Sequence, residues 1–426
     1  MSRAGLARRA GWGVADQALV SLTNFGLGVV AARELGAVEF GAFAIAFSAY
    51  LIAISVTRAV STQPLAIRYT DSRDGWGDAA SAALGLITVI AVIGSAGLLV
   101  TAGIVGGPPG PAFLGIAIAL PSLLIQDGWR SVLFTAGRGG AAFTLDLIVA
   151  VVLGGGVLSL AVFGWASLLS ITLCWGVAAT IASIVGVAVG GVAPSIPRAE
   201  RWLREHRDIT GHHLTGDLSV AGALQLTMFA VGLIAGLAAA GSIRGAQLLV
   251  GPVLVFAQGI FLVAVPEGTR LLKRSLDHLR RAVAGVTWLL GAIFAGWTAV
   301  LLLLPPAAGH AMLGASWEGA RSVLVPMALA WAGLTATTGP IVGLRVLAAA
   351  QRTLRASLVS SALILGGGVA GAWIGGGVGA AWGLAIALSL SASLWFWEFG
   401  KGADEHRERK EPSQSLEFAE AGPGGT

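Results

Sequence analysis

The stretch that decides the fold is residues 11–69, GWGVADQALVSLTNFGLGVVAARELGAVEFGAFAIAFSAYLIAISVTRAVSTQPLAIRY. It contains two apolar segments, each long enough to cross a bilayer, joined by the short loop RELGAVEFG at residues 33–41. A polar group in hydrocarbon has no water to bond, so it is retained mainly where it faces a cavity or another polar group. The two segments nevertheless contain Asp16, Gln17, Asn24 and Arg58. The stretch therefore predicts a pair of membrane helices that line a pathway.

Composition extends this prediction to the whole chain. Of 426 residues, 55% are hydrophobic and 12% are charged, whereas about a quarter of the residues of a soluble protein are charged. A hydrocarbon core about 30 Å thick needs roughly 20 apolar residues per helix. The sequence therefore predicts an all-α polytopic membrane protein with about twelve transmembrane helices and no soluble domain. The predicted spans are 11–31, 41–62, 79–104, 111–136, 142–163, 165–190, 216–239, 245–265, 283–304, 321–344, 354–375 and 377–399.

The distribution of basic residues predicts the orientation. Most of the 27 Lys and Arg residues fall in alternate loops that begin with the amino-terminal segment and end with the carboxyl-terminal segment. The other loops and helix ends hold only Arg33, Arg244 and Arg321, and Arg58 and Arg130 lie within spans. Loops rich in Lys and Arg stay in the cytoplasm, so both termini of this multi-pass protein are expected there. The net charge of +5 thus indicates topology and not a nucleic-acid partner.

The chain divides at its longest internal polar stretch. We predict an amino-terminal lobe of six helices at 1–193, a cytoplasmic connector at 194–215, a second six-helix lobe at 216–400 and a disordered cytoplasmic tail at 401–426. Residues 198–208 of the connector read as an amphipathic helix with Trp202, His206 and Ile209 along one side. Such a helix is typical of the membrane interface.

A weak internal repeat relates the two lobes. At a constant offset of 204 residues, Gly28 aligns with Gly232 and Gly41 aligns with Gly245. Six crossings per lobe bring both lobes into the membrane from the same side, so the repeats are parallel and related by an axis along the membrane normal. Two similar lobes around a central cleft are expected.

Polar residues converge on one half of the amino-terminal lobe. The predicted topology places them at similar depth on four spans, which makes pairing between the acids and the arginines geometrically reasonable. They are Asp16, Gln17 and Asn24 on the first span, Arg58 on the second, Gln126, Asp127 and Arg130 on the fourth, and Asp146 on the fifth. At the same offset, Val220 and Leu262 of the second lobe align with Asp16 and Arg58, so the architecture itself does not require charge there.

Two interpretations of the arginines remain open. In the first, Arg58 and Arg130 extend to the lipid headgroups and the acids are their partners. In the second, they line a cavity, because an arginine at the bilayer centre costs about 2.5 to 3.5 kcal/mol on insertion scales and guanidinium suits bidentate contact with phosphate.

Several short segments of the chain resemble a known family. They are GWGVADQ at residues 11–17, SLTNF at 21–25, AARELG at 31–36, EFGAF at 39–43 and STQPL at 61–65. These segments resemble polysaccharide-export flippases of the multidrug, oligosaccharidyl-lipid and polysaccharide exporter superfamily. The resemblance is strongest over the first seventy residues, and the count of twelve spans in two lobes extends it along the chain.

The resemblance implies a function. Such proteins carry undecaprenyl-diphosphate-linked oligosaccharides across the bacterial plasma membrane by alternating access, for cell-surface polysaccharide synthesis. Arg58 and Arg130 would bind the diphosphate, and Asp16 and Asp127 would either orient the arginines or take up a coupling proton or cation. The expected partners are the lipid-linked sugar and membrane lipids, and no metal, cofactor or catalytic residue is expected. Few cavity cations are found in the second half of the sequence, which departs from the family pattern.

Two alternatives are weighed against the flippase. The first is a multidrug antiporter of the same superfamily with Asp16 as its ion site, which the paired arginines disfavour. The second is a membrane enzyme such as a polysaccharide polymerase or glycosyltransferase. The longest predicted outer loop, residues 305–319, offers only His310 and Glu318 for catalysis, which disfavours an enzyme.

Overall fold

The computed structural model describes residues 3–70 and 75–420. For residues 3–10, 209, 212–215, 217, 255–263, 266 and 409–420 it describes the backbone alone. The regular secondary structure within these ranges is entirely helical. The predicted all-α architecture in two lobes of six crossings is confirmed.

The amino-terminal lobe contains six helices, and all six are long and apolar enough to cross a membrane. They are α1 (Arg3–Glu34), α2 (Ala37–Tyr69), α3 (Trp76–Val105), α4 (Pro109–Thr135), α5 (Gly139–Val162) and α6 (Leu168–Gly190). Helix α2 includes a π turn at Arg58–Thr62 and extends seven residues past the predicted end of its span. Arg58 therefore lies eleven residues, or about 16 Å at 1.5 Å per residue, from the end of its helix.

The connector is more tightly packed than predicted. It contains a 3₁₀ turn at Ile196–Arg198 and a short helix, α7 (Ala199–Glu205), and the helix breaks at His206 before α8 begins. Trp202 and His206 are buried, because α7 packs on α3 of the amino-terminal lobe. The predicted helix over 198–208 is therefore shorter than expected, while Trp202 and His206 lie on one buried side as predicted. The side chain of Ile209 lies outside the described residues.

The second lobe reaches six crossings with more breaks. Its helices are α8 (Arg207–Ile234), α9 (Leu237–Val250), α10 (Pro252–Arg274), α11 (Leu276–Leu302), α12 (Pro306–Leu313), α13 (Trp317–Ser322), α14 (Leu324–Ala336), α15 (Thr338–Val346) and α16 (Ala350–Glu420). Helices α9 and α10 form one crossing, as do α14 and α15, while α12 and α13 occupy the predicted outer loop.

Helix α16 forms the last two crossings as a helical hairpin. Its backbone leaves helical geometry at Gly375 and Gly376, and Gly376 has φ +59°, a conformation that glycine adopts without steric cost. The two arms then lie in close contact: a Cβ at Gly367 would approach the Gly383 carbonyl oxygen to 2.7 Å, and Gly371 faces Gly379. The glycine-rich segments permit this close packing.

The two lobes meet through pseudo-symmetric contacts. Gly28 of α1 packs against Leu248 of α9, and the repeat-related Gly232 of α8 packs against Ile45 of α2. At the offset of 204 residues, each of these two contacts maps onto the other to within one residue when the two lobes are exchanged. This arrangement agrees with parallel repeats about a common axis.

Close contacts between the lobes lie at the end of the bundle that carries the α1–α2 loop. We call this the opposite end, and we call the end that carries the amino terminus, the connector and residue 400 the basic end. At the opposite end, Gly41 of α2 abuts the carbonyl of Leu237 of α9. Arg33 Nη1 donates to Ala311 O at 3.1 Å, and Ser316 Oγ donates to Ala32 O at 3.2 Å.

Gly41 allows a first prediction. A Cβ at this position would overlap the Leu237 carbonyl oxygen, so Gly41→Ala should destabilise the protein by about 1 to 3 kcal/mol through overpacking. The measurement is the free energy of unfolding in detergent micelles. Gly26→Ala is the matched control, because a Cβ on Gly26 of α1 meets no atom within 4 Å. Equal stability of the two variants would show that the lobes do not meet at Gly41.

Residues after 400 are helical instead of disordered, because α16 continues to Glu420. Arg280 Nη2 donates to Asp404 Oδ1 at 2.5 Å, and Arg352 Nε donates to Glu405 Oε2 at 3.2 Å. These contacts attach the end of α16 to α11 and to its own first turn. The prediction of disorder was wrong for residues 401–408, where Asp404 and Glu405 pair with arginines of other helical turns. Residues 421–426 lie outside the described residues.

Candidate functional site

Four helices bring five charged residues together in the interior of the amino-terminal lobe. Arg130 of α4 is at the centre: its Nε donates to Asp16 Oδ2 of α1 at 2.7 Å. The same nitrogen lies 2.8 Å from Asp146 Oδ2 of α5, and Nη1 lies 3.9 Å from Asp127 Oδ1. Helical spacing explains why α4 supplies two members, since Asp127 and Arg130 are three residues apart and share a face. We call this group, with Arg58, the charge cluster.

Arg58 joins the cluster through a two-point contact. Its Nε donates to Asp127 Oδ2 at 3.0 Å, and its Nη2 donates to Asp127 Oδ1 at 2.6 Å. Such fork-to-fork pairing fixes both partners and is stronger than a single neutral hydrogen bond. The contact leaves Nη1 without an acceptor among the described residues, and 44% of the Arg58 side chain is exposed.

The acids of the cluster are buried and the charges do not balance. Side-chain exposure is 0% for Asp16, 7% for Asp127 and 5% for Asp146. When all five groups are ionised, three carboxylates face two guanidinium groups, so one negative charge is in excess. Asp16 Oδ1 and Asp146 Oδ2 accept no hydrogen bond from the described residues. A buried carboxylate without a full set of donors is costly, which favours proton or cation uptake.

The two arginines contact carboxylates in the interior of the amino-terminal lobe. Arg58 lies about 16 Å from the end of α2.

The predicted amide residues lie around the cluster, with different roles in packing. Gln126 Nε2 donates to Asp146 Oδ1 at 2.6 Å and so orients that carboxylate. Gln17 Nε2 donates to Ser21 Oγ of its own helix at 3.4 Å. Asn24 is half-buried on α1, two helical turns beyond Asp16. The structure thus brings Gln126 into the cluster, while neither Gln17 nor Asn24 contacts it through a hydrogen bond among the described residues.

A cavity of about 350 Å³ leads to Arg58 from the basic end. It lies between α2 and α4 and follows α2 from Arg58 to Thr70. Hydroxyl and amide side chains supply much of its lining: Thr62, Gln63, Thr70, Ser131 and Thr135. Arg58 and these polar side chains therefore line one cavity.

Sequence reasoning missed a third arginine, Arg244, which lies between the lobes. Arg244 was assigned to a helix end, but α9 begins at Leu237, so Arg244 lies two turns inside the helix. Its guanidinium carbon lies 4.3 Å from the ring centre of Phe47 of α2. Its Nε is buried without an acceptor, and Nη1 has only a weak contact of 3.4 Å with Gln247 Oε1. No carboxylate of the described residues pairs with it.

Aromatic rings extend along α2 from Arg244. Phe47 stacks on Trp175 of α6 with ring centres 5.6 Å apart, and Tyr50 meets Trp175 edge-on at 4.8 Å. Tyr50 is on the same helix as Arg58, eight residues before it. Along α2, Phe47 and Arg58 are eleven residues apart, or about 16 Å. Arg58 and Arg244 therefore lie at two different depths along one face of α2.

Comparison with known proteins identifies the fold. No protein-family model and no curated protein sequence matches the chain. An inward-facing structure of a multidrug resistance MATE family transporter of the MOP superfamily matches with a TM-score of 0.73 at 14% identity, covering 92% of this chain and 96% of its own. An outward-facing structure with the same description matches with a TM-score of 0.63 at 12% identity, covering 95% and 96%.

A further match comes from Pyrococcus furiosus. It is a MOP superfamily transporter described as having a binding pocket of reverse polarity that suggests a different function, and it matches with a TM-score of 0.62 at 12% identity over 95% of this chain and 96% of its own. With nine helices among the described residues that are long and apolar enough to span a membrane, the chain is a multi-pass membrane protein. It has the two-lobed, all-helical fold of the MATE transporters of the MOP superfamily.

Proposed function

We propose that the protein is an alternating-access transporter that moves an anionic lipid, a lipid-linked oligosaccharide diphosphate, across the bacterial plasma membrane. The observation that supports this most is Arg244. It is a largely buried cation between the two lobes with no carboxylate partner among the described residues. An unpaired cation in a low-dielectric site is expensive, and an anionic substrate would neutralise it.

The charge cluster refines the roles predicted for the arginines. Arg130 is surrounded by three carboxylates, whose negative charge would repel a diphosphate at that position. Arg58 is neutralised by Asp127 but is partly exposed and lines the cavity. We therefore assign diphosphate contact to Arg58 and Arg244 and assign to Arg130 the task of holding the acids in place.

The contacts between the lobes suggest the direction of entry. The lobes are in close contact at the opposite end, through Gly41, Arg33 and Ser316, while the cavity at Arg58 opens toward the basic end. The basic end is cytoplasmic by the positive-inside rule. The headgroup would enter from the cytoplasm to Arg58 and meet Arg244 at greater depth, with its prenyl tail in the surrounding lipid.

The acids supply the coupling site. Arg130 Nε has one hydrogen, yet an oxygen of Asp16 and an oxygen of Asp146 both lie within 2.8 Å of that nitrogen. Two carboxylates this close repel each other when both are charged, and a shared proton or a bound cation removes the repulsion. Uptake of that proton or cation would change the net charge of the amino-terminal lobe. It would thereby favour one packing arrangement of the four helices over another.

The multidrug antiporter remains the second candidate, and two observations favour it. The cluster has one carboxylate in excess, and the aromatic side chains Phe43, Phe47, Tyr50 and Trp175 form a continuous group on α2 and α6 of the same lobe. An aromatic site next to a carboxylate suits an organic cation.

A ligand-stabilisation experiment separates the two candidates. The purified protein in lipid nanodiscs is heated with a polyprenyl-diphosphate oligosaccharide or with a lipophilic organic cation, and its Tm is measured. A ligand that binds only the folded state raises the Tm. The proposal predicts a rise with the diphosphate lipid that the same lipid without its diphosphate does not produce. A rise with the organic cation alone would overturn it in favour of the antiporter.

A further inference from the structure

Helix α2 is irregular at the turn that carries Arg58. Helix α2 forms a π turn at Arg58–Thr62, and residue 64, two positions later, is proline. Proline has no N–H, so the carbonyl of Val60, four residues earlier, cannot receive the usual helical hydrogen bond. Val60 is 6% exposed. A buried carbonyl without a donor is costly, so a donor must come from elsewhere.

The connector between the lobes supplies that donor. Trp202 of α7 donates from its indole Nε1 to the Val60 carbonyl oxygen at 3.1 Å, and the Trp202 side chain is almost completely buried. His206 stacks on the Trp202 ring with the ring centres 3.9 Å apart, and its Nδ1 donates to Trp202 O at 2.9 Å. The indole is therefore held in place by its hydrogen bond to Val60 and by the stacked ring of His206.

A second attachment joins the connector to the end of α2. Arg68 Nη1 donates to Glu205 O at 3.1 Å, and Arg68 Nη2 donates to Asp208 Oδ2 at 2.8 Å. Asp208 is in the first turn of α8, the first helix of the second lobe. The same short segment thus contacts the Arg58 turn and begins the other lobe.

We propose that Trp202 is a positioning residue that sets the Arg58 turn and couples it to movement of the second lobe. The indole N–H holds the Val60 carbonyl, and this fixes the register from which Arg58 reaches Asp127. When α8 moves relative to the amino-terminal lobe, the connector moves the indole and so changes the position of the Arg58 guanidinium group. Only the identity of what Arg58 binds rests on the proposed function.

Hydrogen exchange of the backbone amides tests the first part without any transport assay. Trp202→Phe keeps an aromatic ring and removes the donor, so exchange in residues 58–66 should become about tenfold faster. Trp297→Phe is the matched control, because Trp297 Nε1 donates to the Leu249 carbonyl oxygen at 2.9 Å in the second lobe. It should leave residues 58–66 unchanged.

A rescue variant isolates the hydrogen bond. Pro64→Ala restores a main-chain N–H that can reach the Val60 carbonyl, so Trp202→Phe combined with Pro64→Ala should return exchange in residues 58–66 to within about twofold of the parent. A double variant that exchanges as fast as Trp202→Phe would overturn the proposed role of the indole.

A second readout reports the position of Arg58 itself. In a Cys174→Ser background, which removes the one cysteine of the sequence, Ala66→Cys places a thiol in the cavity that Arg58 also lines. The ratio of its reaction rates with an anionic and a neutral thiol reagent measures the local positive potential. Trp202→Phe should lower this ratio at least twofold, and Pro64→Ala should restore it. An unchanged ratio would show that the indole stabilises α2 without positioning Arg58.

Discussion

Replacing Arg130 by leucine is expected to destabilise the protein more than any other single substitution in the charge cluster. Asp16 and Asp146 are 0% and 5% exposed, and Arg130 is the cation that lies between them. Removing one member of a buried ion pair costs about 3 to 5 kcal/mol, because the remaining charge is buried without compensation. Here two carboxylates lose the same partner, so we expect a loss near the upper end, about 5 kcal/mol. The measurement is the free energy of unfolding in mixed micelles with increasing SDS.

Two controls accompany this prediction. Arg198→Leu removes an arginine that is also paired with an aspartate, since Arg198 Nη1 lies 2.5 Å from Asp78 Oδ1, but the two side chains are 50% and 80% exposed. An exposed pair contributes about 1 kcal/mol or less. In the Arg130→Leu background, Asp16→Asn together with Asp146→Asn should recover much of the lost stability. Equal losses for Arg130→Leu and Arg198→Leu would mean that the cluster is hydrated and does not depend on mutual neutralisation.

Replacing Arg244 by leucine is expected to preserve the stability of the protein and to weaken its binding of the anionic lipid. Arg244 has a buried Nε without an acceptor, and leucine preserves an apolar contact with Phe47 while removing the unpaired charge. The unliganded variant should therefore be at least as stable as the parent protein. A charge-assisted hydrogen bond contributes about 1.5 to 3 kcal/mol, so the affinity for a polyprenyl-diphosphate lipid should fall about tenfold to a hundredfold. Both quantities are measured on one preparation, by unfolding and by lipid titration in nanodiscs.

Arg321→Leu is the matched control for Arg244. Arg321 is the other arginine of the second lobe near the opposite end, and its side chain is exposed. It should change neither stability nor affinity by more than the experimental error. If Arg244→Leu were strongly destabilised, or if it bound the lipid as tightly as the parent, Arg244 would be a structural residue and the anion site would lie elsewhere.

Much of the fold could be predicted because hydrophobic length and basic loops are strong signals in membrane proteins. Helix limits were harder to predict where apolar residues continue through a turn. Residues 231–240 read VGLIAGLAAA, and the turn between α8 and α9 consists of Ala235 and Gly236 alone, with Gly236 at φ +90°. A two-residue turn among apolar residues leaves no polar signal, so the seventh span was predicted to end at 239 and the eighth to begin at 245.

The strong hydrophobic signal explains which site residues were found, and the misplaced helix limit explains why Arg244 was missed. The acids and arginines of the amino-terminal lobe interrupt long apolar segments and are therefore visible in the sequence. Arg244 was placed at a helix end because the start of α9 was misplaced, and its isolation from carboxylates follows only from tertiary packing. The pairing of Trp202 with the carbonyl left without the Pro64 donor was also not visible in the sequence, because a proline near a predicted span end looks like a helix terminator.

The most direct test of the transport proposal is translocation by the purified protein in sealed vesicles. A fluorescent polyprenyl-diphosphate oligosaccharide is incorporated in both leaflets, and an impermeant reductant bleaches the outer leaflet. With the parent protein, bleaching should proceed well beyond the half reached in protein-free vesicles, and with Arg244→Leu it should stop near that half. Bleaching that stops at half with the parent protein, while a lipophilic organic cation is exported under a proton gradient, would contradict the proposal.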